Sequence, residues 1–183
     1  EKNNGILYVK ELEKNNIHRQ YLKILEERGE VIRVIKGLYV APDKDINEFF
    51  IMGERYKTGI FSHNTALYFY HLTDRTPMSL DMTFPSNVRV NNDFLEPHYI
   101  KPELHSLGET TLKLEDGTNI KIYDLERTIC DIIRDRNKID PQIFNTAMKE
   151  YFKSNKRNLN LLYKYAKKLK IDKILKKYME VLD

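Results

Sequence analysis

The chain lacks several features that mark particular classes of protein. Its 183 residues include a single cysteine, Cys130, so no disulfide can form within the chain, which is typical of a reducing cytosol. No apolar run approaches the ~18 residues that a membrane-spanning helix requires. The first residues, EKNNG, are polar and show no signal-peptide pattern. We therefore expect a cytoplasmic protein that does not enter a membrane.

Sequence motifs of common enzyme classes are also missing. There is no G-x-x-x-x-G-K-[ST] phosphate loop, no G-x-G-x-x-G motif and no G-x-S-x-G nucleophile elbow. His63 and His71 are eight residues apart on one predicted helix, which is too far for both to bind one ion directly. We predict no catalytic residue, no metal site and no cofactor, and we expect that the protein is not an enzyme.

Three carboxylates are candidates for a catalytic role: Asp131, Asp135 and Asp81. Asp131 and Asp135 are four residues apart on a predicted helix, a spacing that suits acid–base work or a metal. Arg127 and Arg134 lie close to them in sequence, which favours ion pairs on the helix surface instead. Asp81 is a lone carboxylate on its predicted strand, whereas nucleotide transfer needs at least two to hold Mg²⁺.

Positive charge is unevenly distributed along the chain. Residues 149–183 hold 11 Lys and Arg against 4 Asp and Glu, a net charge of +7, whereas residues 44–148 have a net charge of −4. Such asymmetry favours a polyanionic partner, usually nucleic acid. A solvated lysine-rich helix face explains the C-terminal excess equally well.

The N-terminal pattern predicts a DNA-binding module. Residues 8–16 and 17–29 predict two short helices. The connection between them is about two residues long, near Asn15-Asn16, as in a helix-turn-helix. Two β-branched runs joined by Lys36-Gly37 predict a hairpin after them. Together they predict a winged helix-turn-helix over residues 1–43. We expect most of its first helix to lie upstream of residue 1, since EKNNGIL reads as the end of that helix and a small strand after it.

The second helix of this module carries side chains that suit base reading. In a helix-turn-helix its N-terminal residues enter the major groove first. Arginine can read guanine, and glutamine can read adenine. Tyr21, Leu22 and Leu25 are predicted to face the core. The candidate DNA contacts on the outer side are His18, Arg19, Gln20 and Lys23.

The hairpin is predicted to act as the wing. Arg33 and Lys36 are its candidate phosphate contacts, which would fix position rather than sequence. Tyr39 is expected to pack inward. Surface helices and hairpins often carry the same residue types without binding anything, so the prediction depends on the combined pattern.

Residues 44–183 predict a second, α+β domain. Asp116-Gly117 joins two alternating runs into a hairpin, and Ser62 and Asp124 are plausible helix N-caps. The helix after Asp124 has an apolar face that includes Ile129 and Ile133. Three further helices are predicted toward the C-terminus, and they carry the basic excess.

Three segments together resemble a known family. They are GILYVKELEKNNIHRQYLKILEERGEVIRVIKGLYVAPD, GIFSHNTALYFYHLTDRTPMSLDMTFP and IKIYDLERTICDIIRDRNKID. The chain is similar to the AbiEi-type antitoxins of bacterial abortive-infection systems, which are also classed as type IV toxin–antitoxin transcriptional regulators. The residues that match the family's S-H-x-x-A-L and D-L-E-R-T-x-x-D pattern are Ser62, His63, Asp124, Glu126, Arg127 and Asp131. A structural role, such as capping and ion pairing, and an antitoxin role both stay open for them.

The resemblance implies a function for each domain. It implies that the N-terminal domain binds repeats in the promoter of its own operon, as double-stranded DNA, and represses it. It implies a C-terminal antitoxin domain, similar to a nucleotidyltransferase fold without its catalytic set, that counters a nucleotidyltransferase-type toxin. Two alternatives remain: a nucleotidyltransferase-like or nuclease enzyme fused to a DNA reader, and a protein-interaction module.

Overall fold

The computed structural model describes residues 5–182. It contains helices and two β-sheets, so the predicted α+β class is confirmed. Residues 1–4, where the end of a preceding helix was predicted, lie outside the described residues. The chain forms two compact units: unit 1 takes the residues up to Arg55 together with Leu114–Thr118, and unit 2 takes Tyr56–Lys113 and the residues from Asn119 onward. The domain boundary predicted after residue 43 assigns residues 44–55 to the second domain. In the structure, the contacts of these residues group them with unit 1.

Within the described residues, unit 1 consists of three short strands and three short helices. Its elements in chain order are β1 (Ile6–Tyr8), α1 (Val9–Lys14), α2 (Gln20–Glu27), β2 (Ile32–Ile35), β3 (Leu38–Val40) and α3 (Glu48–Arg55). The three strands form an antiparallel sheet in the order β1-β3-β2. The predicted small strand, the two helices and the hairpin are therefore all present.

The core of unit 1 is small. Leu12 of α1, Leu22 of α2 and Tyr39 of β3 are buried against one another, with Val9 and Val31 partly buried beside them. Burial of Tyr39 confirms that this side chain packs inward. These contacts fix both helices on the three-stranded sheet, because burying apolar surface is the main favourable term in folding.

Unit 2 combines a five-stranded sheet with a helical layer. The strands are β4 (Ile60–Phe61), β5 (Leu80–Pro85), β6 (Leu95–Ile100), β7 (Glu109–Lys113) and β8 (Asn119–Tyr123). The helices are α4 (His63–Phe69), α5 (Pro102–His105), α6 (Leu125–Arg134), α7 (Pro141–Lys153), α8 (Leu159–Lys168) and α9 (Asp172–Leu182). The sheet order is β6-β5-β4-β8-β7, in which β5–β6 and β4–β8 are parallel and the other pairs antiparallel.

Local sequence accounts for much of unit 2. The Asp116-Gly117 hairpin is confirmed: β7 and β8 pair antiparallel, and Gly117 has the positive φ of 83° that its turn requires. Strand β4 escaped sequence prediction because two residues cannot show an alternating pattern. It nevertheless lies at the centre of the sheet, with both of its residues buried.

Helix α6 forms the middle of the helical layer. Every residue from Glu126 to Ile133 is buried, and the apolar side chains of α6 pack with those of α7 and α8. The helix therefore carries charged side chains into the core. Among residues 5–182, no helix has the length and apolar character that crossing a bilayer would need.

Candidate nucleic-acid interface and buried polar cluster

The connection between α1 and α2 is longer than predicted. It spans residues 15–19, five residues instead of about two, because α2 begins at Gln20. Asn16 adopts a left-handed φ of 57°, and Ile17 N–H donates to Leu12 C=O at 2.9 Å, which ends α1 in a Schellman turn. The prediction that Ile17 starts α2 is wrong, since that residue is used to close α1.

His18 and Arg19 consequently precede α2. The Nδ1 atom of His18 accepts a hydrogen bond from Gln20 N–H at 3.2 Å, so its imidazole supplies the acceptor that a serine or threonine cap usually provides. Arg19 occupies the N-cap position. Tyr8, at the N-cap of α1, makes no side-chain cap bond.

The predicted DNA contacts are all exposed, but two of them are paired. Arg19 forms a hydrogen-bonded ion pair with Glu13 of α1. The Nζ atom of Lys23 lies 3.8 Å from Glu27 Oε1, one turn further along α2. Exposed pairs of this kind contribute little to stability, so they can open at small cost.

Tyr21 does not face the core as predicted. Its side chain is 59% exposed, and that of Ile17 is 42% exposed. The physical reason is the helical period: Leu22 takes the inward position, and Tyr21 lies about 100° away around the helix. An aromatic ring is thereby added to the exposed surface that carries Arg19 and Gln20.

The β2–β3 hairpin departs from simple alternation. Arg33 pairs with Tyr39 and Ile35 with Leu38, which leaves a bulge at Val34. The bulge ends the strict alternation of side chains between the two faces of β2 beyond Arg33. Lys36 remains exposed at the turn, where Gly37 supplies a φ of 90°.

Unit 2 holds a different kind of polar group. Arg127 and Asp131 have fully buried side chains, with Nε and Oδ2 3.1 Å apart, so the prediction of surface ion pairs on this helix is wrong for them. Arg127 also donates to the backbone carbonyls of Leu104 and Leu107, and its guanidinium lies 4.1 Å above the Tyr123 ring. A buried charge needs such a set of partners, because an isolated one is strongly unfavourable.

Two further motif residues have clear structural contacts. Asp124 caps α6 by accepting from Arg127 N–H at 2.8 Å, as predicted, and its other oxygen accepts from Tyr165 Oη. Glu126 accepts from Asn158 N–H at 2.8 Å and from Tyr151 Oη at 3.3 Å. Both carboxylates hold the helical layer together.

Ser62 and His63 begin a hydrogen-bonded chain across unit 2. Ser62 is at the N-cap position but its hydroxyl makes no cap bond; instead it lies 2.9 Å from His63 Nδ1 and accepts from Thr83 Oγ1 at 2.8 Å. The Nε2 atom of His63 is 3.1 Å from Asp135 Oδ2. The chain is satisfied when Ser62 donates to Nδ1 and Nε2–H donates to the carboxylate.

The electrostatics of this chain favour a neutral imidazole. Burial lowers the pKa of His63, and the hydrogen bond to Asp135 only partly opposes it. Burial by itself would raise the pKa of Asp135, yet the His63 hydrogen bond and the Arg134 charge outweigh it and hold that pKa well below its usual range. Neutral His63 therefore faces an ionised Asp135 at neutral pH.

A second imidazole lies against the first. The rings of His63 and His98 stack with their centroids 3.5 Å apart and their planes 12° from parallel. His98 Nε2 is 2.7 Å from Asp81 Oδ1. These groups face a cavity of about 590 Å³ that is also lined by Glu96 and Arg134.

Sequence reasoning did not bring these residues together. Asp81 was noted as a lone carboxylate, but in the sheet it pairs in register with Glu96 of the neighbouring strand β6. His98 and Asp135 come from elements that are distant in sequence from His63, so no spacing rule could group them. Cys130 is buried, and burial raises the pKa of its thiol well above the usual range.

No family model matches the chain, and no curated protein matches it.

Proposed function

We propose that this protein is a DNA-binding transcriptional repressor and the antitoxin of a bacterial type IV toxin–antitoxin system. One observation carries the DNA-binding part: unit 1 has the element order β1-α1-α2-β2-β3 and the sheet order β1-β3-β2. That order is the one expected of a winged helix-turn-helix, with α2 as recognition helix and the β2–β3 hairpin as wing. Exposed basic residues at both elements support it.

The recognition helix and the residues before it would do the reading. Arg19 suits guanine and Gln20 suits adenine in the major groove. The exposed ring of Tyr21 adds an apolar and hydrogen-bonding group next to them. Glu13 holds the Arg19 guanidinium in the free protein, and this pair would exchange for a base contact on binding.

The wing would supply sequence-independent contacts. Arg33 and Lys36 are exposed, and neither makes an ion pair among those found in residues 5–182. Phosphate contacts from such side chains position the protein on the duplex and release counterions.

Unit 2 would be the antitoxin domain, with a nucleotidyltransferase-like arrangement that does not catalyse transfer. Two observations support this assignment: the five-stranded mixed sheet of unit 2, and the engagement of the Asp81 carboxylate by His98. The functional partners would be double-stranded DNA of its own promoter and a nucleotidyltransferase-type toxin. This assignment also makes the protein cytoplasmic.

The test is a binding titration with the DNA immediately upstream of its own gene, against a scrambled duplex of equal length, over a series of salt concentrations. Replacing Arg19 by Ala should cost about 1–3 kcal/mol of binding free energy and relax specificity at one base pair. Lys36→Ala should weaken both duplexes alike and reduce the salt slope by about one unit.

Arg28→Ala is the matched control. Arg28 is equally exposed at the C-terminal end of α2, where it pairs with Glu30, and it lies outside the proposed contacts. It should leave affinity for both duplexes nearly unchanged. Equal effects of Arg19→Ala and Arg28→Ala would contradict the proposed orientation of α2 on DNA.

A further inference from the structure

We propose that His63, His98 and Asp135 bind one divalent transition-metal ion in unit 2. Each residue offers one ligand atom, and these three atoms lie within 4.8 Å of one another. Within residues 5–182 this is the single group of three such side chains that lies close enough for one ion. All three residues belong to unit 2, so none of them is among the proposed DNA contacts of unit 1.

The three ligands come from three different elements of unit 2. His63 is the first residue of α4, His98 lies within β6, and Asp135 is the C-cap of α6. Their side chains differ in exposure: that of His63 is fully buried, and those of His98 and Asp135 are 16% and 19% exposed. Binding one ion would therefore tie the strand layer to two helices.

The backbone at His63 supports a functional role. Its φ is 45°, in the left-handed region that a residue with a side chain rarely adopts because the backbone is strained there. Residues with a strained backbone are common at binding and catalytic sites, where contacts with the surrounding structure maintain the conformation. Here it aims a buried imidazole at the cavity wall, toward Asp135.

The donor set selects the class of ion. Two imidazole nitrogens and one carboxylate oxygen suit Zn²⁺, Fe²⁺, Co²⁺ or Ni²⁺, whereas Mg²⁺ and Ca²⁺ prefer oxygen ligands alone. Three protein ligands leave at least one coordination position open in a tetrahedral site. The cavity of about 590 Å³ gives that position room for a water molecule or a small ligand.

Surrounding hydrogen bonds orient the imidazoles. When Nε2 of His63 binds the ion, its proton moves to Nδ1, the ring nitrogen away from Asp135, and Nδ1–H then donates to Ser62 Oγ. Metal-bound histidines almost always have their second nitrogen held in this way. Asp81 plays the corresponding part for His98, through a bond of 2.7 Å to Nε2.

The stacking of the His63 and His98 rings means that one side chain must move when the ion binds. Parallel rings 3.5 Å apart direct their nitrogen lone pairs side by side rather than at one point. One ring therefore has to turn about its Cβ–Cγ bond. His98 is the ring with room to do so, because it is partly exposed at the cavity, whereas His63 is fully buried and held at both nitrogens. Asp81 holds His98 at Nε2, which leaves Nδ1 as the ligand atom of that ring.

The experiment is a Zn²⁺ titration of the chelator-treated full chain in competition with a chromophoric zinc indicator. We expect one Zn²⁺ per chain and no competition from Mg²⁺. His98→Gln and Asp135→Asn should each weaken binding by at least ~10-fold, since even outer residues of metal sites have effects of that size. His71→Asn removes an exposed histidine outside the cluster, at a left-handed position that Asn tolerates, and should have no effect.

A second measurement needs no variant. In the wild-type chain, Zn²⁺ should shift the imidazole ¹⁵N signals of two of the five histidines, those of His63 and His98. The proposal is overturned if no stoichiometric Zn²⁺ binds, if other histidines shift instead, or if His71→Asn weakens binding as much as His98→Gln.

Discussion

The two units use charged residues in opposite ways. In unit 1 the acidic and basic side chains lie on the surface, and pairs such as Arg19 with Glu13 are largely exposed around a core of a few side chains. In unit 2 the core itself contains Arg127 and Asp131, both with fully buried side chains. The first arrangement leaves charges available to a partner, and the second commits them to the fold.

The difference follows from the dielectric surroundings of each pair. An exposed ion pair is screened by water and contributes about 0–1 kcal/mol. A buried charge has lost its hydration, so removing its partner costs about 3–5 kcal/mol even where the pair itself adds little net stability. Unit 1 can therefore exchange its ion pairs for contacts with a charged partner at small cost, whereas unit 2 cannot open its pairs without loss of stability.

The largest expected effect tests this contrast directly. Arg127→Met keeps most of the side-chain volume but removes the charge that faces Asp131, so we expect a loss of about 3–5 kcal/mol in the free energy of unfolding. The measurement is urea denaturation of the full chain followed by circular dichroism.

Arg19→Met is the matched control for that experiment, since it removes the same group from an exposed pair. It should change the free energy of unfolding by less than about 1 kcal/mol. If both variants lose the same stability, the contrast between the two units does not hold.

Two glycines with positive φ, Gly108 in unit 2 and Gly29 in unit 1, extend the comparison of the two units to the backbone. Gly108 has a φ of 79°, and an added Cβ would lie 2.5 Å from Arg127 Cβ. Gly108→Ala should therefore cost about 2–4 kcal/mol, from the left-handed conformation and from crowding together. Thermal or urea unfolding measures this loss.

Gly29 supplies the control within unit 1. It has a similar φ of 70°, but nothing lies within 4 Å of an added Cβ. Gly29→Ala should cost only the conformational term, about 1–2 kcal/mol. A loss for Gly29→Ala that equals the loss for Gly108→Ala would show that crowding against Arg127 is unimportant.

The smallest expected effect is a dependence on pH that originates in unit 2. Burial lowers the pKa of His63, and burial also lowers the pKa of His105. The unfolded chain then binds more protons below about pH 6.5, so these groups stabilise the fold fully above that pH and less as the pH falls. Each proton contributes a slope of at most about 1.4 kcal/mol per pH unit.

Denaturation in the presence of a chelator, between pH 7 and 5.5, measures this slope. His105→Gln should reduce it without abolishing it, because the contribution of His63 remains. The exposed-residue variant His71→Asn should leave it unchanged. A free energy of unfolding that stays constant over this range in the wild-type chain would contradict the assignment of a neutral, buried His63.

The sequence predicted those features that depend on local pattern. The presence of two helices in α1 and α2, the Asp116-Gly117 turn and the Asp124 cap all depend on neighbouring residues, and the structure confirms them. The start of α2 was predicted wrongly because Ile17 forms part of the Schellman turn that ends α1. The spacing of apolar residues does not reveal such a turn.

Features that depend on tertiary contacts escaped prediction. The charged residues of α6 look like a solvated face in the sequence, but neighbouring helices, backbone carbonyls and the Tyr123 ring bury them in the structure. The approach of His63 to His98 and Asp135 follows from the order of strands and helices in unit 2, which no short motif encodes. DNA binding and antitoxin activity stay predictions, because they rest on the resemblance and on the arrangement of unit 1.

The bulge at Val34 has a consequence for how separate molecules meet. Strand β2 is the outer strand of its sheet, and Ile32 on it is 49% exposed. A flat outer strand with exposed apolar residues accepts further strands from other chains, whereas a bulge and a charged side chain discourage such pairing. Arg33 and the bulge beside it therefore disfavour strand pairing between separate molecules, and replacing Arg33 by an apolar residue should favour self-association.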